Sequence, residues 1–266
     1  MGRDTGVTQA LHHSDSMPVS PGPHRRRLQF TRLKLTNTWE FRELVPVKES
    51  MVSAAVFIQN ILPTLLRASG VTVKLTAFSI ILGIAIGTAV ALMRISRSKV
   101  LSGVATAYVT VLRGTPLMVQ ILIVYFALPQ IGLRMDKFSS AVIALGINAS
   151  AYIAEIIRAA IESIDPGQME AARSLGMSYG LAMRRIIIPQ TYRRLLPPLG
   201  NEFIALLKDT SLIAFIGGEE LTRAGQHIIS ATFRPWPVYI TVAAIYLCMT
   251  ALFSFVVQFG ERKLLQ

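Results

Sequence analysis

EAARSLGMSYGLAMRRIIIP, residues Glu170 to Pro189, is a polar and basic stretch set between two long apolar runs. Ala171 and Ala172 are small enough for a partner surface to approach a helix backbone closely, and Gly176 permits a sharp turn. Glu170 falls near an expected helix start, where the N-terminal dipole favours a negative charge. After the glycine, Met177, Leu181, Arg184 and Ile188 recur on one helical face, and Ile186, Ile188 and Pro189 close the run. The expectation is a helix, a glycine turn and a second helix within a loop at 165–194, forming a knob that projects from a membrane. An amphipathic loop that only caps two spans is the plainer alternative, and these residues alone leave both open.

Working outward, 52% of the 266 residues are hydrophobic, only 16% are charged, and the mean hydropathy is +0.49. That is too apolar for an ordinary soluble domain, and runs near twenty residues long point to membrane-spanning helices. The net charge of +12 would suit nucleic acid, but the basic residues flank apolar runs instead of forming a tract. Positive-inside topology accounts for them, so no nucleic-acid partner is expected. Cys248 is the sole cysteine and is expected to be a small packing residue. Neither an intrachain disulfide nor a cysteine metal site is available, and His12, His13 and His24 form no plausible metal set.

Residues 1–50 are polar and read as a disordered tail, with Met51 a possible true start. Residues 51–70 read as an amphipathic segment leading into a transmembrane domain at 71–263. Five spans are expected, at roughly 71–93, within 101–128, 139–161, 196–216 and 237–259. Gly83 and Gly87 give the first a small-residue packing face. The second is interrupted by Arg113-Gly114-Thr115-Pro116, which is tolerated only where protein or a water-filled cavity satisfies the freed backbone. Basic loops after the first and third spans, and the C-terminus, fall on the cytoplasmic side.

Charges inside spans cost roughly 2.5–3.5 kcal/mol each on insertion scales, so each needs a reason. On the third span, Asn148, Tyr152 and Glu155 share one face, with Arg158 three residues on. This stripe would suit an amino or guanidino group in transit. Equally, Glu155 would pair with Arg158, and Asn148 would bond to a neighbouring helix. The fourth span carries Asn201 and Lys208 seven apart, Glu202 and Asp209 beside them, then Thr210 and Ser211. These line a translocation pathway in one reading, and form an interfacial pair with a snorkelling lysine in the other. His227 reads as an isolated loop residue.

Four ordered blocks carry a family resemblance: RGTPLMVQ (113–120), AYIAEIIRAAIESIDPGQMEAARSLGMS (151–178), PPLGNEFIALLKDTSLIAFI (197–216) and IYLCMTALFS (245–254). With them the chain resembles the integral-membrane permease subunits of bacterial polar amino acid ABC importers, over about 62–263. The resemblance implies an all-α membrane protein with a type I ABC importer-like transmembrane domain of about five spanning helices. It implies a multi-pass protein of the bacterial inner membrane with a cytoplasmic C-terminus, paired with a second permease subunit, the same or related. It also implies a cytoplasmic ABC ATPase dimer that uses ATP and Mg, and an extracytoplasmic amino-acid-binding protein. Glu170, Ala171, Ala172, Leu175 and Gly176 would then contact the ATPase, while Ile186, Ile188 and Pro189 fix the second loop helix. The long N-terminal tail departs from the family pattern, as does Ile188 where leucine is preferred, a volume-conserving change.

No Gly-x-x-x-x-Gly-Lys-Ser/Thr phosphate loop occurs, so the chain is expected to be a non-catalytic transport subunit with no cofactor of its own. The rival reading is an ion-coupled secondary amino acid transporter, which would cycle ions on the intramembrane carboxylates.

Overall fold

The computed structural model describes residues 47–265, and every regular element among them is helical. The tail predicted at 1–50, with its three histidines, lies outside the described residues up to position 46. Helix α1, Val47–Arg94, is a single helix of 48 residues. At about 1.5 Å per residue it is about 70 Å long, more than twice the bilayer hydrocarbon. The amphipathic segment and the first span are therefore continuous, with no boundary at Gly70.

Helix α2, Lys99–Gly114, starts at Ser98, whose side chain accepts from the Leu101 N–H. It ends because Pro116 forces Thr115 into an extended conformation, φ −114 and ψ 144. Helix α3, Leu117–Leu122, then runs through a π-turn (Ile123–Ala127) and a 3₁₀ turn (Leu128–Ile131). The two halves meet at a bend of 102°, which falls at the predicted interruption.

Helix α4, Lys137–Glu162, is opened by Asp136, which accepts from the Phe138 and Ser139 amides. Its alanine-rich face lies against α1 at the expected glycines. A Cβ on Gly87 would stand 2.8 Å from the Ser150 carbonyl oxygen and 2.9 Å from Ile153 Cβ. Leu75, Ile121, Leu145, Ile153, Leu206 and Ile213 form the core around this contact.

Two short helices follow, α5 (Pro166–Ser174) and α6 (Tyr179–Ala182), then α7, Ile188–Asp209, which continues as a 3₁₀ turn to Ile216. The left-handed Gly217 (φ +68) ends that turn. Helices α8 (Leu221–Thr232) and α9 (Pro235–Leu265) complete the described chain. Ser53–Arg94, Lys137–Glu162 and Pro235–Gly260 are long and apolar enough to cross a bilayer, and the bent α2–α3 pair makes a fourth candidate if it acts as one span. Helix α7 is the fifth expected segment, its hydropathy lowered by Arg193, Arg194, Asn201, Glu202, Lys208 and Asp209.

Three long-range contacts sort the loops by end. Lys137 Nζ donates to the Gly217 carbonyl at 3.0 Å, joining the loops before α4 and after α7. At the other end Arg94 meets Glu155, and the Arg97 guanidinium lies 5.3 Å from the Tyr179 ring centroid. The basic loop after α1 therefore shares an end with the 165–187 segment, as the charge pattern predicts.

Glu220 is fully buried where α8 meets α1 and α9. Its carboxylate accepts from the Thr222 and Arg223 amides at 2.8 and 2.7 Å and from the Tyr246 hydroxyl at 2.9 Å. Burial pushes this carboxyl above the ordinary range, and those donors oppose the push. Two expectations need correcting. Cys248 is exposed on an apolar groove of about 420 Å³ between α1 and α9, because a membrane helix carries apolar residues outward as well as inward. His227 is not isolated, since its Nε2 lies 3.3 Å from Glu219 Oε1.

Candidate functional site

The segment at 165–187 is built by local capping. Asp165 accepts from the Gly167 N–H at 2.8 Å and Pro166 occupies the first turn, so α5 starts four residues before Glu170. The capping carboxylate is Asp165, and Glu170 sits mid-helix. Helix α5 ends in a paired closure: the Gly176 N–H reaches the Arg173 carbonyl at 3.0 Å, and the Met177 N–H reaches Ala172 at 3.1 Å. This closure needs a left-handed residue, and Gly176 supplies it at φ +81. Ser178 then accepts from the Leu181 N–H to start α6.

The expected helix, glycine turn and second helix are thus present, with Ala172 and Ala182 buried among them. Their outside is apolar in places: Leu175 is 82% exposed, and Tyr179, Leu181 and Ile188 are also exposed. No atom lies within 4 Å of a Cβ placed on Gly176.

Between α6 and α7 the chain forms a π-turn, Met183–Ile187, in which the Ile188 N–H reaches the Met183 carbonyl five residues back. Pro189 follows at once; it has no N–H and its ring would crowd an ordinary turn. The extra residue relieves that crowding and shifts the buried stripe to Ala182, Ile187 and Thr191, spaced five and then four. Tyr179 to Asp209 is consequently one continuous helical stretch.

Two cavities open beside α4 and α7. One of about 310 Å³ is lined by Thr115, Asn148, Tyr152, Glu202 and Asp209, with apolar Leu117 and Leu212. The other, about 410 Å³, is bounded by Arg113, Tyr152, Glu155, Arg194 and Glu202. Tyr152 and Glu202 belong to both. The Arg113 guanidinium lies over the Tyr152 ring, 5.2 Å from its centroid. Asn148, only 7% exposed, donates to Gln120 Oε1 at 3.0 Å. Gln120 Nε2 in turn donates to the Leu112 carbonyl at 2.9 Å and the Thr115 hydroxyl at 2.8 Å, across the break in the second span.

Of the pathway residues expected from sequence, Asn148, Tyr152 and Asp209 line the smaller cavity. Glu155 borders the larger one but is held by Arg94 and Arg158, and Arg158 also meets Glu162. Asn201 and Lys208 are exposed and line neither cavity. Thr210 is buried, its hydroxyl donating to the Leu207 carbonyl at 2.7 Å, and Ser211 is half-buried. The inward stripe of α7 is therefore Glu202 and Asp209, and Asn201 and Lys208 form the outward one. Gln120, Arg113 and Arg94 went unread as site residues because their partners lie far off in sequence.

Residues 79–266 match the family model described as "binding-protein-dependent transport system inner membrane component". The chain is 40% identical over 205 residues to the glutamine transport system permease protein GlnP of Escherichia coli (strain K12), covering 76% of this chain and 94% of that protein. It is 37% identical over 204 residues to the arginine transport system permease protein ArtQ of Bacillus subtilis (strain 168), covering 76% and 93%. A crystal structure of an amino acid ABC transporter with histidines superposes with a TM-score of 0.74 at 44% identity, covering 83% of this chain and 100% of that one.

Proposed function

The chain belongs to the family of binding-protein-dependent transport system inner membrane components, and from that premise we propose that it is the permease subunit of an ATP-driven importer of polar amino acids. Its all-α fold is that of the type I ABC importer transmembrane domain. In this reading the knob docks a cytoplasmic ABC ATPase dimer that binds and hydrolyses ATP with Mg, since this chain has no phosphate loop. A second permease subunit completes the pathway, and an extracytoplasmic amino-acid-binding protein delivers cargo to the end near Lys137 and Gly217. The C-terminus lies on the cytoplasmic face of the bacterial inner membrane.

The observation that carries the proposal is the knob together with its helical continuity. Ala172, Ala182 and the Gly176 closure make the projection compact, and Leu175 gives it an apolar tip. Displacement of the tip passes through the π-turn into α7, which carries Glu202 and Asp209 at the cavity. ATPase closure thereby biases the bundle between inward- and outward-facing arrangements, with Ile186, Ile188 and Pro189 holding the second loop helix in line.

The test is reconstitution in proteoliposomes with the ATPase and the binding protein. Uptake should require ATP and persist when ionophores collapse ion gradients. Uptake that follows an ion gradient without ATP would instead establish the secondary-transporter reading.

A further inference from the structure

Resting on the importer reading above, we infer that Arg97, in the link between α1 and α2, is a positioning residue for coupling. By holding Tyr179 it ties the knob to the α1–α4 pair, so that a displaced knob carries α4 along with α7.

The link is short and fixed. Helix α1 ends at Arg94 and α2 starts at Lys99. The Ile95 N–H reaches the Ala91 carbonyl at 3.1 Å, and the Ser96 N–H reaches the Met93 carbonyl at 3.3 Å. The Ser98 N–H donates to the Ser96 hydroxyl at 3.2 Å, and the Ser102 hydroxyl donates to the Arg94 carbonyl at 3.1 Å. Arg97 therefore stands on a bracket and not on a free loop.

The Arg97 guanidinium lies 5.3 Å from the centroid of the Tyr179 ring, within reach of a cation–π contact. Tyr179 is the first residue of α6 and is exposed. Among the described residues no carboxylate pairs with Arg97, so its charge is left to face the ring. Gln190 of α7 donates to Gln168 of α5 at 3.4 Å. Among the described residues, Arg97 on Tyr179 is the one polar or ring contact that reaches α5 or α6 from any other element.

One turn before Arg97, Arg94 pairs with Glu155 of α4, which Arg158 also holds. Helices α1 and α4 meet again where Gly87 faces Ser150 and Ile153. A push on Tyr179 thus reaches α4 through Arg97, the bracket and Glu155, and reaches α7 through the π-turn. Helices α4 and α7 carry facing walls of the smaller cavity, and the brace keeps those walls in step. An exposed cation–π contact shifts an equilibrium roughly two- to fivefold, enough to bias the knob and too little to hold the fold.

The experiment reconstitutes permease, ATPase and binding protein in proteoliposomes. It reads uptake of a mixture of radiolabelled polar L-amino acids per ATP hydrolysed. A folding defect lowers both quantities together and leaves their ratio unchanged. Arg97→Gln and Tyr179→Leu should each lower the ratio roughly two- to fivefold. Arg97→Lys keeps the cation and Tyr179→Phe keeps the ring, so both should stay near wild type. The double variant Arg97→Gln/Tyr179→Leu should fall no further than either single change, since the same contact is lost once. A wild-type ratio in Arg97→Gln, or a double variant whose losses multiply, would overturn the inference while leaving the importer intact. Failure of the importer reading looks different, with no ATP-dependent uptake by the wild-type assembly.

Discussion

Asn148 on α4 donates to Gln120 on α3 at 3.0 Å, and Gln120 carries the link on to the Leu112 carbonyl on α2. One amide thus closes the gap that Pro116 leaves in the second span, satisfying a carbonyl that has lost its helical partner. Asn148 also lines the smaller cavity, so the bend at Pro116 and the polar stripe of α4 are one construction.

Replacing Asn148 by Leu leaves Gln120 Oε1 without its donor in a dry setting. We expect a loss of about 1–2 kcal/mol. At about 2–4 °C per kcal/mol, this should appear as a lower melting temperature in detergent. An unchanged melting temperature would show that the pair contributes nothing to holding the break.

The α1–α4 contact makes a sharper contrast. Gly87→Leu must push Ser150 and Ile153 aside and should lower stability by about 1–3 kcal/mol or abolish insertion. Gly70→Ala, with no atom within 4 Å of the new methyl, should be neutral or gain about 0.4–1 kcal/mol. Equal responses at the two glycines would mean that α1 and α4 do not touch here.

Glu220 predicts a pH dependence. Its carboxyl is raised in the folded protein by burial, so the native state keeps this proton longer than the unfolded chain does. Stability from this site is greatest at low pH and falls as pH climbs from the ordinary carboxylate value through the raised one. Glu220→Gln should flatten that part of the melting-temperature profile relative to wild type. Retention of the full slope in the variant would assign it to other groups.

Gly176→Trp places a bulky side chain on the open tip of the knob. Its left-handed backbone makes any side chain cost about 1–2 kcal/mol locally, too little to unfold the domain. The variant should insert normally yet lose at least about tenfold of its ATP-driven uptake, equivalent to about 1.4 kcal/mol of docking free energy. Normal uptake per ATP hydrolysed in proteoliposomes would remove the knob from the coupling path.

Local patterns carried the legible part of the fold. The Gly176 turn, the break before Pro116 and the Gly83/Gly87 face each depend on residues close in sequence, and each is present. Pairing of Glu155 with Arg158 was readable at a spacing of three. Its second partner, Arg94, stands 61 positions away and left no local signal. Gly70 with Arg67 and Ser69 looks like a boundary, yet helix α1 passes through because a long helix tolerates one glycine. The seven-residue repeat on α7 was visible twice over, in Asn201/Lys208 and Glu202/Asp209, and only packing against α4 distinguishes the inward pair. The π-turn before Pro189 was hidden because the proline rule predicts an interruption without saying how it is absorbed.

Coupling to the ATPase depends on the side of the membrane to which the knob projects. A single cysteine at the tip, Leu175→Cys in a Cys248→Ser background, can be labelled with a membrane-impermeant maleimide in right-side-out and inverted vesicles. Labelling is expected only in inverted vesicles, with protection when the ATPase subunit is bound. Labelling from the outer face of sealed right-side-out vesicles would contradict it.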